Sequence, residues 1–438
     1  MDSNTDHLVW GVTIAAAQTE GAHDRDGRGP SIWDTFTKKS HKIKDKSNNQ
    51  IATNFYDRYK EDIDLSIDIG LKIFRFSISW SRVLPKGTGS INKKGIAFYN
   101  KVIDYCLEVG IEPWITTYHW DLPQNLQDKG GWRNREIIID YENYITLLKD
   151  HFSDRVKKWI LLNEAIVCVG AGYFLGIHAP GKRGIKNFSA SIHHMLLAQA
   201  KGHRILKERK GLEVGTAVSC TKIDSYSNQR KDLKAAKRID ALMNRLCIEP
   251  YIGLGYPEKE LPLVKRFKKF IKDGDMEEMK VDFDFWGIQT YAREVVRSAW
   301  YIPYLGSVLV TPKKRKVPVS VMGWETYPEG VQYFLERFSN YDPKKPLWLS
   351  ECGIALSEKE DDSERIEYYK KIINGMNKVV DKGINLKGIL LWTLVDNFEW
   401  AEGYVPRFGI VSMDKKTLNR KMKKTAFWLK DYLSSNSV

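Results

Sequence analysis

The stretch EPWITTYHW, residues 112–120, sets the pattern for the whole chain. Its first part, Glu112–Tyr118, is rich in apolar, β-branched and aromatic residues. Near-continuous runs of this kind suit parallel strands covered on both faces. A polar residue and an aromatic one, His119 and Trp120, follow at once. Before the run lies 96–109, where Tyr99, Val102, Ile103 and Leu107 are read as one helix face and Gly110 as the stop.

Working outward, the same unit recurs. Short apolar runs occupy 9–16, 72–79, 112–118, 157–162, 212–219, 283–290, 346–350 and 387–394. Amphipathic stretches separate them: 56–69, with Tyr59, Ile63 and Ile67 at helical spacing, then 96–109, 142–151, 191–208, a helix entered at Pro328 and running to about Phe338, and 364–380. Eight strands alternating with helices predict an α/β fold, a single (β/α)8 TIM barrel with extended loops at its C-terminal face. The interval 220–282 is too long for one helix, so it is expected to hold extra helices and a loop over one barrel end. At ~150 residues per domain the length suggests roughly three domains. The uninterrupted alternation, with no Pro/Ser-rich linker, predicts one domain over 1–438.

Composition excludes several classes. Hydrophobic residues make up 42% and charged residues 28%, which rules out a disordered chain. No run approaches ~18 apolar residues, and the polar start MDSNTDHLVW lacks a signal-peptide core. No membrane partner is therefore expected. The net charge is +14, with basic clusters at 265–269, 313–316 and 420–424. They are scattered and lack any nucleic-acid-binding motif, so no nucleic-acid partner is expected. Cys106, Cys168, Cys220, Cys247 and Cys352 form no CxxC pair and are odd in number, which predicts free thiols and a cytoplasmic location. His193, His194 and His203 have no metal-ligand spacing, and no metal or cofactor is expected.

A barrel places its chemistry at the C-terminal strand ends. Reading along those ends gives Gln18 and Glu20, Arg75 and Trp80, His119 and Trp120, Asn163 and Glu164, Tyr291, Glu351, then Trp392, Asp396, Glu399 and Trp400. Carboxylates beside flat aromatic faces suit sugars, whose C–H faces stack on indole and whose hydroxyls seek charged or amide partners. Glu164 and Glu351 end the fourth and seventh strands, which face each other across an eight-stranded ring. Two carboxyls ~5–5.5 Å apart would make a retaining glycosidase. Asn163 is placed to bond a sugar 2-hydroxyl, and Arg75 and Tyr291 to keep Glu351 ionised. The sequence alone leaves open a salt-bridge role for either glutamate.

The segments WGVTIAAAQTEGA (10–22), GRGPSIWDTF (27–36), FRFSISWSRVLPKG (74–87), YHWDLPQNLQDKGGW (118–132), GWETYPEG (323–330) and LWTLVDNFEWAEGYVPRFGIV (391–411) resemble motifs of family 1 glycoside hydrolases, retaining β-glycosidases. LLNEA (161–165) is similar to that family's acid/base motif and LSECG (349–353) to its nucleophile motif. The resemblance implies Glu351 as nucleophile and Glu164 as acid/base. It implies Gln18, His119, Asn163, Glu399 and Trp400 as sugar-binding groups, Trp392 as the platform, and Trp120 and Phe408 as lining. Tyr291 and Arg75 match residues contacting the nucleophile.

The resemblance also implies a small-molecule or oligosaccharide β-glycoside substrate, with glucose the leading sugar and galactose and fucose secondary. Asn397-Phe398-Glu399-Trp400 differs from the arrangement of family members that cleave 6-phosphosugars, which favours an unphosphorylated sugar. Plant-type thioglucosidases carry Gln at the acid/base position, so Glu164 argues for an O-glycosidase.

Three positions depart from the family pattern: Cys352 stands in place of Asn, Ala165 in place of Pro, and Gln289-Thr290 in place of Asn-Tyr. They put the surroundings of the carboxyls and the aglycone side in question, not the reaction type. Cys352 reads as a small buried filler. The aglycone walls are expected from the 221–280 insertion and from a loop after the sixth strand, 295–319. Trp10, Trp33, Trp80, Trp114, Trp159, Trp286, Trp348 and Trp428 read as packing. The alternatives are an inactive sugar-binding barrel, which both carboxylates argue against, and a transglycosidase, which differs only in what attacks the intermediate.

Overall fold

The computed structural model describes residues 8–435. Eight strands form the barrel: β1 Val9–Thr13, β2 Ile73–Ser77, β3 Glu112–Tyr118, β4 Lys158–Asn163, β5 Glu213–Ser225, β6 Trp286–Ser298, β7 Leu347–Cys352 and β8 Leu386–Trp392. All neighbours pair in parallel. The ring closes because β1 pairs with both β2 and β8, while β5 pairs with β6. Outer helices include Phe55–Ile69, Lys93–Glu108, Ile137–Phe152, Ile185–Lys207, Glu329–Ser339 and Ser363–Asp381.

The lower half of the barrel is filled. Ile73, Trp114, Ile160, Ala217, Phe285, Trp348 and Leu390 form one buried cluster inside the ring. Trp114 and Trp348 meet edge to face at 4.6 Å, and the Lys158 ammonium caps both rings at 5.0 Å. With that end plugged, the lumen opens only at the C-terminal face.

Two expectations are corrected. Ile67 and Leu107, read as helix-core positions, are 36% and 44% exposed. Each lies eight residues past the first residue of its apolar row, and an α-helix drifts about 80° over that span, so both reach the rim of the buried stripe. Trp428 does pack against the core and stacks on Tyr432, but it is only partly buried, unlike the other tryptophans assigned to packing. Finally, β5 and β6 do not end at 219 and 290.

Those two strands run on, paired from Lys222↔Arg293 to Ser225↔Val296, as an arm above the rim. The antiparallel strand Ser307–Leu309 and the helix Arg230–Asp240 complete this arm around Ala235, Ile239 and Val296. So 295–319 is not simply a loop, and 220–282 does hold extra helices.

Among the described residues, no helix is long and apolar enough to cross a membrane, and no His/Cys/Asp/Glu cluster could hold a metal. His193 is bonded to Asp275 and Tyr256, each at 2.9 Å. The five cysteines are free and buried. Cys352 is buried with its Sγ 3.5 Å from the Tyr368 hydroxyl, and burial pushes its thiol up to about 12, which disfavours the reactive thiolate.

Candidate active site

Strand ends deliver the site. β2 brings Arg75, β3 is followed by His119 and Trp120, β4 ends at Asn163 with Glu164 next, and β7 carries Glu351. The segment after β8 brings Glu399, Trp400 and Phe408, and Gln18 comes from the short helix after β1. Glu164, Trp120 and Trp400 all have left-handed backbone, with φ of 50°, 73° and 49°. Non-glycine residues rarely adopt this conformation, and it concentrates at functional sites.

One guanidinium organises the floor. Arg75 is wholly buried and donates to Glu351 Oε1 at 3.0 Å, Asn163 Oδ1 at 2.7 Å, Thr116 Oγ1 at 2.8 Å and Ser350 O at 2.9 Å. The Tyr291 hydroxyl donates to the other Glu351 oxygen at 2.9 Å. Gln289 Nε2 also donates to Asn163 Oδ1, at 2.7 Å.

The Asn163 oxygen is thus occupied twice, so its Nδ2 faces His119 Nε2 at 3.0 Å as donor. Burial holds His119 well below its ordinary value, so the ring is neutral with its proton on Nδ1. His119 Nδ1 and Gln18 Oε1 are both buried with no protein partner. Buried orphan polar atoms are rare and call for an explanation, and a hydroxylated ligand supplies one.

The aromatic walls close around these groups. Trp120 stacks on Trp400 at 4.6 Å, and its Nε1 donates to Asn163 O at 2.9 Å. His119 lies 5.8 Å from Trp392 and 6.0 Å from Trp400. Phe408 meets Tyr291 edge to face at 6.0 Å, and Trp324 sits beside Tyr291 at 6.1 Å. Gln18 Nε2 is shared among Phe398 O at 2.9 Å, Asn397 Oδ1 at 3.2 Å and Glu399 Oε2 at 3.4 Å.

The carboxyls have unequal surroundings. Burial, then the nearby Glu351 charge, push Glu164 up to about 8, against a Ser219 hydroxyl bond. Burial and the charges of Glu351 and Glu164 push Glu399 up to about 8 as well. Burial raises Glu351 too, but the Arg75 charge, which acts only as the weakest influence on Glu164, and hydrogen bonds from Arg75, Tyr291 and Gln289 pull it the other way. Of the Glu164–Glu351 pair, Glu351 therefore ionises first.

The structure brings together Gln18, Arg75, His119, Trp120, Asn163, Glu164, Tyr291, Glu351, Trp392, Glu399, Trp400 and Phe408. It does not bring in three others read from the same strand ends. Glu20 pairs with Arg82 at 2.8 Å, Trp80 stacks on Tyr144 at 4.5 Å, and Asp396 pairs with Lys423 at 2.9 Å. Sequence reasoning missed the positions of Thr116, Ser219 and Gln289. Only Gln289 left a signal, as a departure from a motif.

Comparison with known proteins places the chain in a family. The family model "Glycosyl hydrolase family 1" matches residues 2–438. The 1,4-beta-D-glucan glucohydrolase of Thermotoga neapolitana is 38% identical over 440 residues, covering 98% of each chain. Beta-glucosidase A of Thermotoga maritima is equally similar, at 38% identity and the same coverage. The solved family 1 β-glucosidase of Thermotoga maritima superposes with a TM-score of 0.93 at 37% identity, covering 99% of this chain and 98% of that one. Another structure of that family 1 enzyme, complexed with a cyclophellitol analogue transition state mimic, matches equally well, with a TM-score of 0.93. With a family model matched from end to end and relatives this similar over nearly their whole length, the chain belongs to glycosyl hydrolase family 1.

Proposed function

We propose that the protein is a retaining β-glucosidase that removes terminal non-reducing β-D-glucosyl residues, with Glu351 as nucleophile and Glu164 as acid/base. The observation that carries this reading is the unequal treatment of two buried carboxyls. Glu351 has a guanidinium at 3.0 Å and a phenol at 2.9 Å, whereas Glu164 is pushed up to about 8.

The sugar lies against Trp392. Glu399, protonated before the sugar binds, is driven toward its ionised form by the sugar hydroxyls and then accepts from two adjacent ones, and Gln18 Oε1 and His119 Nδ1–H supply an acceptor and a donor to its neighbours. Asn163 offers its amide to the 2-hydroxyl. In the first step a Glu351 oxygen attacks the anomeric carbon while the Glu164 proton passes to the leaving oxygen. The glycosidic bond breaks, an ester to Glu351 forms, and the aglycone leaves as an alcohol. The Glu351 charge is now gone, so Glu164, left ionised, has lost the neighbour that raised its pKa. It takes a proton from water, whose oxygen attacks the same carbon and frees Glu351. Two inversions give retention. The aglycone meets the side walled by Trp324, beside Tyr291.

The test is a panel of aryl β-glycosides followed by NMR. The expected result is fastest cleavage of the glucoside, slower cleavage of the galactoside and fucoside, and the β-anomer as first product. An α-anomer as first product, or a preference for a 6-phosphoglucoside, would overturn the reading.

A further inference from the structure

The surplus of positive charge plays no part in sugar cleavage, and one region concentrates it. The arm made by the continuation of β5 and β6 extends on the order of 20 Å of strand beyond Tyr291. Its tip, 299–306, is closed by its own backbone, with Ala299 N–H donating to Gly306 O at 3.0 Å and Gly306 N–H to Ile302 O at 2.9 Å. On this ordered loop Trp300 is 91% exposed, and Tyr301 and Tyr304 are exposed beside it. Leu309 and Leu233, on the same arm, are exposed as well. Soluble surfaces seldom gather large apolar side chains this way without a partner.

Cations surround the rings. The Arg266 guanidinium lies over the Tyr304 ring at 5.4 Å, and Arg238 Nη1 donates to Leu305 O at 2.7 Å. Arg238 belongs to the helix Arg230–Asp240, which is tied to the arm by Asp232 accepting from Ser298 N–H at 2.8 Å. That helix exposes Arg230, Lys231, Lys234 and Lys237. Segments 222–240 and 293–316 together hold twelve Lys/Arg against four Asp/Glu. Three of those acids are already engaged: Asp224 with Lys222, Asp232 with Ser298 and Asp240 with Arg337.

We propose that this arm docks the protein on an anionic lipid bilayer, with Trp300, Tyr301 and Tyr304 at headgroup depth and the helix cations against lipid phosphates. Indole and phenol side chains favour the membrane–water interface, and clustered Lys/Arg favour anionic lipid. Two other polymers fit less well. A polysaccharide needs coplanar platforms with carboxylates or amides beside them, whereas Trp300 and Tyr301 stand at 85° to each other amid cations. Single-stranded nucleic acid would use the rings and the cations but not the exposed Leu309 and Leu233.

The expectation of no membrane partner came from the lack of a spanning segment, which does not bear on surface docking. Because the arm rises from the rim that holds the cleft, docking would bring the cleft mouth to the bilayer and favour glycosides with a lipid aglycone. That consequence rests on the β-glucosidase reading, while docking itself does not.

The full chain can be sedimented with sucrose-loaded vesicles of phosphatidylcholine alone or mixed with phosphatidylglycerol. The expected result is binding to the mixed vesicles, about tenfold stronger than to phosphatidylcholine alone and weakened by salt. Both Trp300→Ser/Tyr301→Ser/Tyr304→Ser and Lys231→Gln/Lys234→Gln/Lys237→Gln should lose about tenfold in vesicle binding while cleaving an aryl glucoside within about twofold of the parent rate. The proposal is overturned by no vesicle binding or by a triple aromatic variant that binds undiminished. Stronger retention on single-stranded DNA or on insoluble β-glucan than on the mixed vesicles overturns it too.

Discussion

Arg75 has no solvent-exposed surface, yet it holds Glu351, Asn163, Thr116 and the Ser350 carbonyl at once. A lysine there keeps a charge but not the planar fork, so it can serve at most part of this set. Arg75→Lys is expected to lower kcat/KM by about 10²–10³, the cost of a few kcal/mol. With its cation displaced, Glu351 ionises less readily, so the acid limb of the kcat/KM profile moves to higher pH. An unmoved limb would show that Arg75 does not set the charge of Glu351.

Glu351→Ala is expected to abolish turnover of an aryl β-glucoside, and retained activity would sink its assignment. Glu164→Ala should keep glycosylation by substrates with good leaving groups, with azide restoring turnover as a β-glycosyl azide. If no such product forms, the acid/base lies elsewhere. The residues at these positions were legible because each follows a strand whose apolar run is plain in the chain. Gln289 was not legible as a bridge to Asn163 and Glu351, since sequence position does not show which way a strand-interior amide points.

At the level of elements, ring closure depends on how closely β8 approaches its neighbours. Val9 pairs with Gly388, and a Cβ added at Gly388 would lie 2.1 Å from Val9 O and 2.6 Å from the Trp348 ring. Neither neighbour can retreat, one being backbone and the other packed in the barrel plug. Gly388→Ala should therefore cost about 1–3 kcal/mol or more, read as a lower midpoint in urea with an unchanged slope. The same strands mark the limit of sequence reading. Their buried halves read as apolar runs, but the continuations of β5 and β6 are half-exposed and mixed in composition. They looked like loop because only one side of them is covered.

For the whole molecule, the buried carboxyls couple stability to pH. Glu399 sits at about 8 when folded, against an ordinary carboxyl value near 4.5. The folded state holds this proton where the unfolded chain has released it. Its contribution is full below the ordinary value and is lost as pH rises to about 8. Glu399→Gln removes that dependence. Relative to the parent, its thermal midpoint should climb between pH 5 and pH 8, by the equivalent of a few kcal/mol, on the order of one per pH unit. A constant difference across that range would show that Glu399 is not held protonated in the folded state.

The seam between β1 and β8 also governs when the protein can exist at all. The first barrel strand begins at Val9 and its closing partner ends at Trp392, with Glu399 and Trp400 later still. On the ribosome, every shorter nascent chain carries an open parallel sheet edge and an unfinished cleft. Synthesis therefore makes no active fragment, and a chain stalled before the last strand is one that chaperones must shield or proteases remove.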